Sequence, residues 1–296
     1  MSPDPPTSGA GVARRLRRLP LSWLGAVPYL AVVGVFLVLP VAVNVWSSFH
    51  ANGELSAQNL VDATKGQYRN AFLETIYLSA ITAVLGGLLG MVVAWALAGR
   101  VAGPKMFKTL ANAFTTVSSQ AGGVPLAFAF VATLGTEGLI TKLIFDATGY
   151  QLTDHFRLAT FWGLVLVYLY FQVPLMAILM VPAFQGLRVE WQEAALALGA
   201  SRWHFLRQIA IPIMSPAVFG SLLLLFANSF AAYATAYALA GSSVNLVAIQ
   251  IGFFLSGNVL FDESFAAALV TWMMVVICVC LGLRALLLRR ATRWLR

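Results

Sequence analysis

The sequence has few charged residues. Only 10% of its 296 residues are Asp, Glu, Lys or Arg, whereas 60% are hydrophobic. A soluble domain carries about a quarter charged residues, so the composition excludes an ordinary soluble protein and indicates one that lies in a membrane. The net charge of +8 does not indicate nucleic-acid binding, because the basic residues form short clusters between apolar runs. No nucleic-acid partner is therefore expected.

The sequence also lacks residue sets that could carry catalysis. Its two cysteines, Cys278 and Cys280, lie in one apolar run, and its three histidines lie in separate segments. It contains no H-E-x-x-H motif, no G-x-S-x-G in a strand–helix context and no G-x-x-x-x-G-K-[ST] phosphate-binding loop. We therefore expect no metal, no cofactor and no enzymatic activity in this chain, including no ATP hydrolysis of its own.

Ionisable residues are scarce in the middle of the apolar runs. Carriers driven by protons or sodium usually place such residues near the bilayer midplane, where charge movement is their mechanism. Here Glu74 and Arg284 lie near run ends, where they can reach the interface. The alternative of a stand-alone secondary carrier or channel is therefore less favoured, although the sequence alone leaves it open.

Six apolar runs are long enough to cross about 30 Å of hydrocarbon as helices. They cover residues 24–46, 72–98, 109–134, 159–184, 214–240 and 266–288. The third is the least regular, because residues 115–125 are polar and contain two glycines and a proline. We expect that stretch to be kinked or unwound. The sequence thus predicts an all-α integral membrane protein with six transmembrane helices.

The basic residues predict the orientation. If the N-terminus is cytoplasmic and the spans alternate, every basic residue faces the cytoplasm except Lys65, Arg69, Lys142 and Arg157. The positive-inside rule favours this topology, with both termini and residues 185–213 in the cytoplasm.

The predicted organisation has four parts and two short additional helices. The parts are a cytoplasmic tail without fixed structure at 1–22, a first transmembrane helix and outer loop at 23–71, a core at 72–290 with a cytoplasmic loop at 188–212, and a cytoplasmic C-terminus at 291–296. We also expect a surface helix at 137–147 on the outer side. A re-entrant or interfacial helix is expected at Val247–Leu255.

Neutral polar groups in the apolar runs are candidates for a solute pathway. They are Ser118, Ser119, Gln120, Gln172, Asn228, Ser229, Tyr233 and Tyr237. The last four recur at about one helical turn, so on a continuous fifth helix they would share one stripe. Such a stripe fits either a solute pathway or a seam of interhelical hydrogen bonds.

The loop at 188–212 predicts two short helices joined by a turn. Val189–Leu198 begins with acidic residues, which suit a helix N-terminus. Gly199 suits a turn or C-cap, and Ser201 suits the N-cap of a second helix over Arg202–Ala210. Pro212, followed by Pro216, is expected to end that helix at the membrane edge.

The same loop resembles the EAA loop of permease subunits of binding-protein-dependent ABC importers. The matching residues are Glu193, Ala194, Ala195, Gly199, Phe205, Ile209 and Pro212, and the mild departure is Ile211 at a position that is usually Leu. The resemblance extends over roughly 70–290 and implies a fold like that of type I ABC importer permeases. It also implies a multi-pass protein of the bacterial cytoplasmic (inner) membrane.

The resemblance implies roles and partners. The segment around Glu193–Leu198 would be a coupling helix in a groove of a cytoplasmic ABC ATPase dimer, which binds the ATP and Mg. The coupling residues would be Glu193, Ala194, Ala195, Gly199, Ala200, Phe205 and Pro212. Other expected partners are a second, homologous permease subunit, an extracytoplasmic solute-binding protein and the lipid membrane. Leu198–Ala200 resembles the polyamine, ferric-iron, thiamine and phosphonate branch, with a polyamine-like solute favoured and a sugar or other small solute as the alternative.

Overall fold

A computed structural model describes residues 22–51, 54–98, 105–256 and 262–293. The first nine helices are α1 (Ser22–Val33), α2 (Leu39–Ser48), α3 (Gln58–Asp62), α4 (Gly66–Ala98), α5 (Lys105–Gln120), α6 (Gly123–Leu134), α7 (Leu139–Thr148), α8 (Leu152–His155) and α9 (Phe161–Gln185). The others are α10 (Val189–Ala197), α11 (Arg202–Phe205), α12 (Ile211–Phe230), α13 (Ala234–Ala240), α14 (Val247–Ser256) and α15 (Glu263–Arg293). A small antiparallel hairpin pairs β1 (His50–Ala51) with β2 (Glu54–Leu55).

Six helical segments are long and apolar enough to cross a membrane. They are Val27–Ser48, Gly66–Ala98, Gly123–Thr148, Phe161–Gln185, Arg202–Phe230 and Glu263–Arg289. The predicted number is confirmed, and four of the predicted spans agree within a few residues at most ends. The helices expected at 137–147 and Val247–Leu255 also form, as α7 and α14. The predicted tail at 1–22 lies, apart from Ser22, outside the described residues, and the backbone of α15 continues to Arg293.

The third and fifth spans differ from the sequence prediction. The predicted span 109–134 is broken at Ala121–Gly122 into α5 and α6, so the expected interruption within 115–125 is confirmed. The segment that meets the length and composition of a span begins at Gly123 instead, because α5 is rich in Lys, Asn, Thr and Ser. The predicted span 214–240 is wrong at both ends, since the helix begins at Arg202 and stops at Phe230.

Pro212 does not end a helix, contrary to the prediction. A π-helical segment, Leu206–Ala210, joins α11 to α12, and Pro212 lies in the first turn of α12. A proline lacks the N–H that an α-helix uses and presses its ring on the carbonyl one turn earlier. The wider π turn relieves that contact, and the Ile211 N–H donates to the Leu206 carbonyl. The helical path therefore continues into the bundle.

Two further prolines are accommodated by related means. The first span contains the π-helical segment Gly34–Val38 immediately before Leu39 and Pro40, which repeats the arrangement at Pro212. Pro216 within α12 frees the carbonyl of Pro212, and the Ser215 hydroxyl donates to that carbonyl at 3.0 Å. Local π turns and Ser side chains commonly satisfy backbone groups that proline releases inside a membrane.

The centre of the bundle is the packing of α4 against α9 and α12. Three glycines of α4 allow the close approach: a β-carbon at Gly86 would lie 2.6 Å from the Gln172 Cβ, and one at Gly90 would lie 2.5 Å from the Val173 carbonyl oxygen. A β-carbon at Gly87 would overlap Leu222. Glycines four residues apart are typical of tightly packed membrane helices, because the lipid supplies no hydrophobic driving force between them.

The two terminal spans pack on each other at the side of this bundle. α15 contacts α12 and α2, and the Asn44 side-chain amide donates to the Ala267 carbonyl at 3.4 Å. The Trp272 indole N–H donates to the Leu60 carbonyl at 3.0 Å and so attaches α15 to α3. The buried core over this region contains Phe230, Val247 and Leu269. The first span is therefore a peripheral addition to the α4–α9–α12 core.

Candidate functional site

The segment from Val189 to Ala210 folds as a helix, a tight turn and a second helix. α10 has Glu190 in its first turn, where its charge suits the positive end of the helix dipole. α11 begins after Ser201, whose hydroxyl accepts a hydrogen bond from the His204 N–H at 3.2 Å. The predicted helix and the predicted N-cap are both confirmed.

The turn between the helices is a complete Schellman motif. The Ala200 N–H donates to the Ala195 carbonyl and the Gly199 N–H to the Leu196 carbonyl, both at 3.0 Å. Gly199 has φ of +83°, a left-handed conformation that residues with a β-carbon adopt at a cost of about 1–2 kcal/mol. A β-carbon there would meet no atom within 4 Å, so the requirement for glycine is conformational rather than steric.

A small hydrophobic cluster holds the two helices together. Ala195, Phe205 and Ala210 are buried, and half-buried Trp191 and Ile209 pack against them. Ala195 therefore lies under α10 against this chain's own residues. Its small side chain brings α10 close to α11, whereas the sequence prediction assigned it to the partner's surface. Phe205 is likewise turned inward and packs within the segment.

The opposite face of α10 is open. Glu193 and Ala194 are exposed, and Leu198 has 89% of its surface exposed beside the turn. In α11, Trp203 is 68% exposed. A bare carboxylate, a small side chain and two large apolar groups on one short segment form a surface that another protein can cover. We call the residues Glu193, Ala194, Leu198 and Trp203 the open face.

The polar residues predicted for a solute pathway fall into two groups. Gln172 is fully buried, and its amide donates to the Leu225 carbonyl at 3.0 Å. Ser229 is buried and lies 2.9 Å, oxygen to oxygen, from the Thr82 hydroxyl. Both therefore join α4, α9 and α12 within this chain, which fits the alternative of a helix seam.

The remaining candidates lie at two helix breaks. Ser118 and Ser119 are buried near the end of α5, and Gln120 is exposed there. Asn228 is exposed near the end of α12, and the rings of Tyr233 and Tyr237 stack at 5.3 Å between centroids while both stay partly exposed. The predicted single stripe is wrong, because α12 ends at Phe230 and Tyr233 precedes the next helix.

Hydrogen bonds support the backbone at the two breaks. The Gly123 N–H donates to the Thr235 hydroxyl at 2.8 Å, and the buried Tyr168 hydroxyl donates to the Ala232 carbonyl at 2.8 Å. Unwound backbone at membrane depth needs such partners or a water-filled cavity. Thr235 and Tyr168 were not among the predicted site residues. The glycine pair at 122–123 marked one break, but nothing in residues 231–233 marked the other.

The sequence matches a known family over more than half its length. Residues 86–294 match the family described as "Binding-protein-dependent transport system inner membrane component". The chain is 23% identical over 238 residues to the ferric transport system permease protein FbpB of Actinobacillus pleuropneumoniae, with 79% of this chain and 34% of that protein covered. It is 23% identical over 180 residues to the sulfate transport system permease protein CysT of Escherichia coli, with 60% and 61% covered.

Two kinds of solved structure share the fold. A chain of a bacterial alginate ABC transporter, in complex with an alginate pentasaccharide-bound periplasmic protein, aligns with a TM-score of 0.70 at 16% identity, covering 92% of this chain and 95% of that one. A chain of the MetNI methionine ABC transporter aligns with a TM-score of 0.52 at 13% identity, covering 77% and 99%.

The match covers only part of each of these two relatives. The chain spans about a third of the ferric permease and about three fifths of the sulfate permease. The family match begins at Gly86 within α4 and covers α5 to α15 in full, including the open face and both helix breaks. The chain therefore belongs to the family of binding-protein-dependent transport system inner membrane components.

Proposed function

We propose that this chain is the membrane-spanning permease subunit of an ATP-driven ABC importer and forms half of its solute pathway. The observation that carries the proposal is the ordered segment from Val189 to Ala210, with its open face, inside a region that matches the family. The sequence holds no phosphate-binding loop for ATP. Energy for transport therefore has to reach the chain through a partner ATPase, which would hold ATP and Mg.

The chain offers a direct mechanical path from the open face to the helix breaks. α10 is fixed to α11 by the Phe205 cluster, and α11 continues through the π-helical segment into α12. The helical path from Arg202 to Phe230 has 29 residues and is about 43 Å long. It ends beside Tyr233. A shift of α10 would thus move the break near the stacked tyrosines, and alternating access would follow if the ATPase favours one of two positions.

Glu193 is the residue that we propose contacts the ATPase. It is exposed on α10, and Glu190 on the same helix is also exposed. We expect Glu193→Lys to reduce binding of the ATPase to the permease by about tenfold, since losing a charge pair and adding a repulsion costs roughly 1.4 kcal/mol or more. Glu190→Lys, one turn earlier with the same change of charge, is the matched control and should bind normally.

The test is co-purification of this chain with its ATPase and measurement of ATP hydrolysis in liposomes, with and without a solute-binding protein. Stimulation by the binding protein in the wild type, and its loss with Glu193→Lys alone, supports the proposal. Absence of any associated ATPase contradicts the importer function. Equal effects of both glutamate variants contradict only the assigned contact.

The partners that we propose are a cytoplasmic ATPase dimer, a second permease subunit and an extracytoplasmic binding protein. The two helix breaks of this chain would form one side of a solute pathway. A second subunit would then form the opposite side. We expect that subunit to be a homologous chain. Cross-linking of a single cysteine at Tyr237, in a variant lacking Cys278 and Cys280, would test whether this surface meets another permease.

Two solute classes compete for the pathway. The Leu198–Ala200 pattern favours a polyamine-like solute, whereas the stacked pair Tyr233 and Tyr237 favours a solute with a ring face, such as a saccharide. A polycation would gain from a carboxylate, and the exposed polar groups at the two breaks, Gln120 and Asn228, are neutral. Uptake of labelled spermidine against labelled oligosaccharide by the reconstituted transporter decides between them.

A further inference from the structure

Arg284 is a charged residue placed at one edge of the membrane. It lies on α15, 21 residues after Glu263, which corresponds to about 31 Å along the helix. The hydrocarbon core is about 30 Å thick, so if Glu263 lies at one interface, Arg284 lies at the other. The large side chains around it, Leu281, Leu283 and Leu286, are 40–58% exposed and suit contact with lipid.

The stem of Arg284 lies against α12. A β-carbon placed on Gly220 would be 3.6 Å from the Arg284 Cγ and 3.5 Å from the Leu288 Cδ2. The glycine thus leaves a shallow notch in which the arginine stem rests. Packing of the stem restricts the guanidinium to the boundary between α12, α15 and the surrounding lipid. A preorganised guanidinium loses less entropy when it binds an anion.

Within the part of the chain that the structure describes, no acidic side chain forms an ion pair with Arg284. The Nε atom of Arg284 is enclosed and has no hydrogen-bond partner among the described residues. On the predicted cytoplasmic side, the acidic residues within the described part of the chain are Glu190 and Glu193, and both lie on α10, which packs on α11. The residues that follow Arg284 add Arg289, Arg290, Arg293 and Arg296 to the same end of the chain.

We propose that Arg284, seated in the Gly220 notch, binds the phosphate of an anionic phospholipid headgroup. The Arg284 Nε is enclosed without a hydrogen-bond partner among the described residues, and a phosphodiester at the interface offers two oxygens to the guanidinium fork. Basic pockets between transmembrane helices on the cytoplasmic side are typical sites for anionic lipids. None of the open-face or helix-break residues takes part in this site, so it does not rest on the importer function.

The experiment measures lipid retention by the purified chain. Wild type and variants are extracted into detergent with an equimolar mixture of phosphatidylglycerol and phosphatidylcholine, and bound lipids are counted by native mass spectrometry. The wild type should retain phosphatidylglycerol in preference. Arg284→Gln should lower that retention roughly tenfold, and Arg284→Lys should give an intermediate value, because it keeps the charge but loses the bidentate fork.

One variant serves as the control. Arg157→Gln removes an exposed arginine on the predicted outer side and should leave the retained phosphatidylglycerol unchanged. Circular dichroism and size-exclusion profiles identical to wild type show that Arg284→Gln folds.

Three outcomes overturn the proposal. The first is equal retention of phosphatidylglycerol by wild type and Arg284→Gln. The second is full displacement of the lipid by millimolar inorganic phosphate, which indicates a site for free anions. The third is an effect of Arg284→Gln that appears only with the ATPase or a second permease present, which indicates a protein carboxylate as the partner.

Discussion

The α4–α9–α12 seam and the α10–α11 segment are built on opposite principles. In the seam, glycines remove side chains so that backbones touch, and polar groups such as Gln172 bond to a neighbouring helix. In the α10–α11 segment, the helices are short and held by one cap, one Schellman turn and a cluster around Phe205. The seam leaves little surface for a partner, whereas the segment exposes a carboxylate and large apolar groups.

The seam is therefore expected to stay rigid, whereas the α10–α11 segment is the region that a partner can displace. A seam with backbone contact has few alternative packings, because any rotation brings side chains against glycine positions. A segment whose order depends on a few local contacts can be held in a new position by a partner at little cost. α12 belongs to the seam and continues from α11 through the π-helical segment, so displacement of the α10–α11 segment reaches the seam through one helix.

The largest effect is expected when the seam is broken. Gly90→Leu places a side chain on the Val173 carbonyl and the Met176 side chain, and should destabilise the protein by about 3 kcal/mol or more. The measurement is the fraction of monodisperse protein after extraction, followed during heating. Gly282→Leu is the matched control, since a β-carbon at Gly282 meets no atom within 4 Å. Equal loss in both variants would show that the seam is not especially tight.

The next effect separates the buried side of the α10–α11 segment from its open face. Phe205→Ala removes the largest buried group of the cluster and should cost about 3 kcal/mol of local stability. Amide hydrogen exchange of residues 189–197 should then accelerate by roughly a hundredfold, while α4 and α9 exchange as before. Trp203→Ala, at a 68% exposed position two residues earlier, should change exchange by less than about threefold. Acceleration throughout the bundle would contradict a locally held segment.

A smaller effect is expected at the Schellman turn. Gly199→Val forces a β-branched residue into φ of +83° and should cost about 1–2 kcal/mol, whereas Gly199→Asn should cost less because Asn tolerates this conformation. The valine variant should insert normally and lose binding-protein-stimulated ATP hydrolysis, and the asparagine variant should keep most of it. Failure of the valine variant to reach the membrane would indicate a role in folding rather than in coupling.

The smallest effect tests whether Ser229 belongs to the seam. A double-mutant cycle of Thr82→Val and Ser229→Ala should give a coupling energy of about 0.6 kcal/mol, the average for interhelical hydrogen bonds in membranes. Unfolding in sodium dodecyl sulfate measures the four stabilities. A coupling energy of zero, together with altered solute uptake by Ser229→Ala alone, would indicate that Ser229 lines the solute pathway instead.

The sequence predicts those features that depend on local chemistry. The number of spans follows from apolar length. The Gly199 backbone and the Ser201 hydroxyl determine the turn and the N-cap by themselves. The interruption near Gly122 was marked by glycines and a proline in a polar run. These are residues whose conformational preferences hold in almost any surroundings.

The features that the sequence did not predict depend on contacts between distant residues. Residues 231–233 are Ala, Ala and Tyr, which suit a helix, yet the backbone unwinds where the Tyr168 hydroxyl binds the Ala232 carbonyl. Burial of Ala195 requires α10 to fold back on Phe205. In the sequence, Arg284 is one of several basic residues near the C-terminus, and its packing against Gly220 is visible only in the structure. In each case the partner lies far away in the chain.

The π-helical segment Leu206–Ala210 also determines the rotational phase between α11 and α12. A π turn holds one residue more than the α-helical turn it replaces, and each residue of an α-helix turns the chain by about 100°. The direction of the open face relative to Gly220 and the seam therefore depends on a single additional residue. Loss of one residue within 206–210 would leave every side chain of α10 and α11 intact and aim the whole open face in another direction.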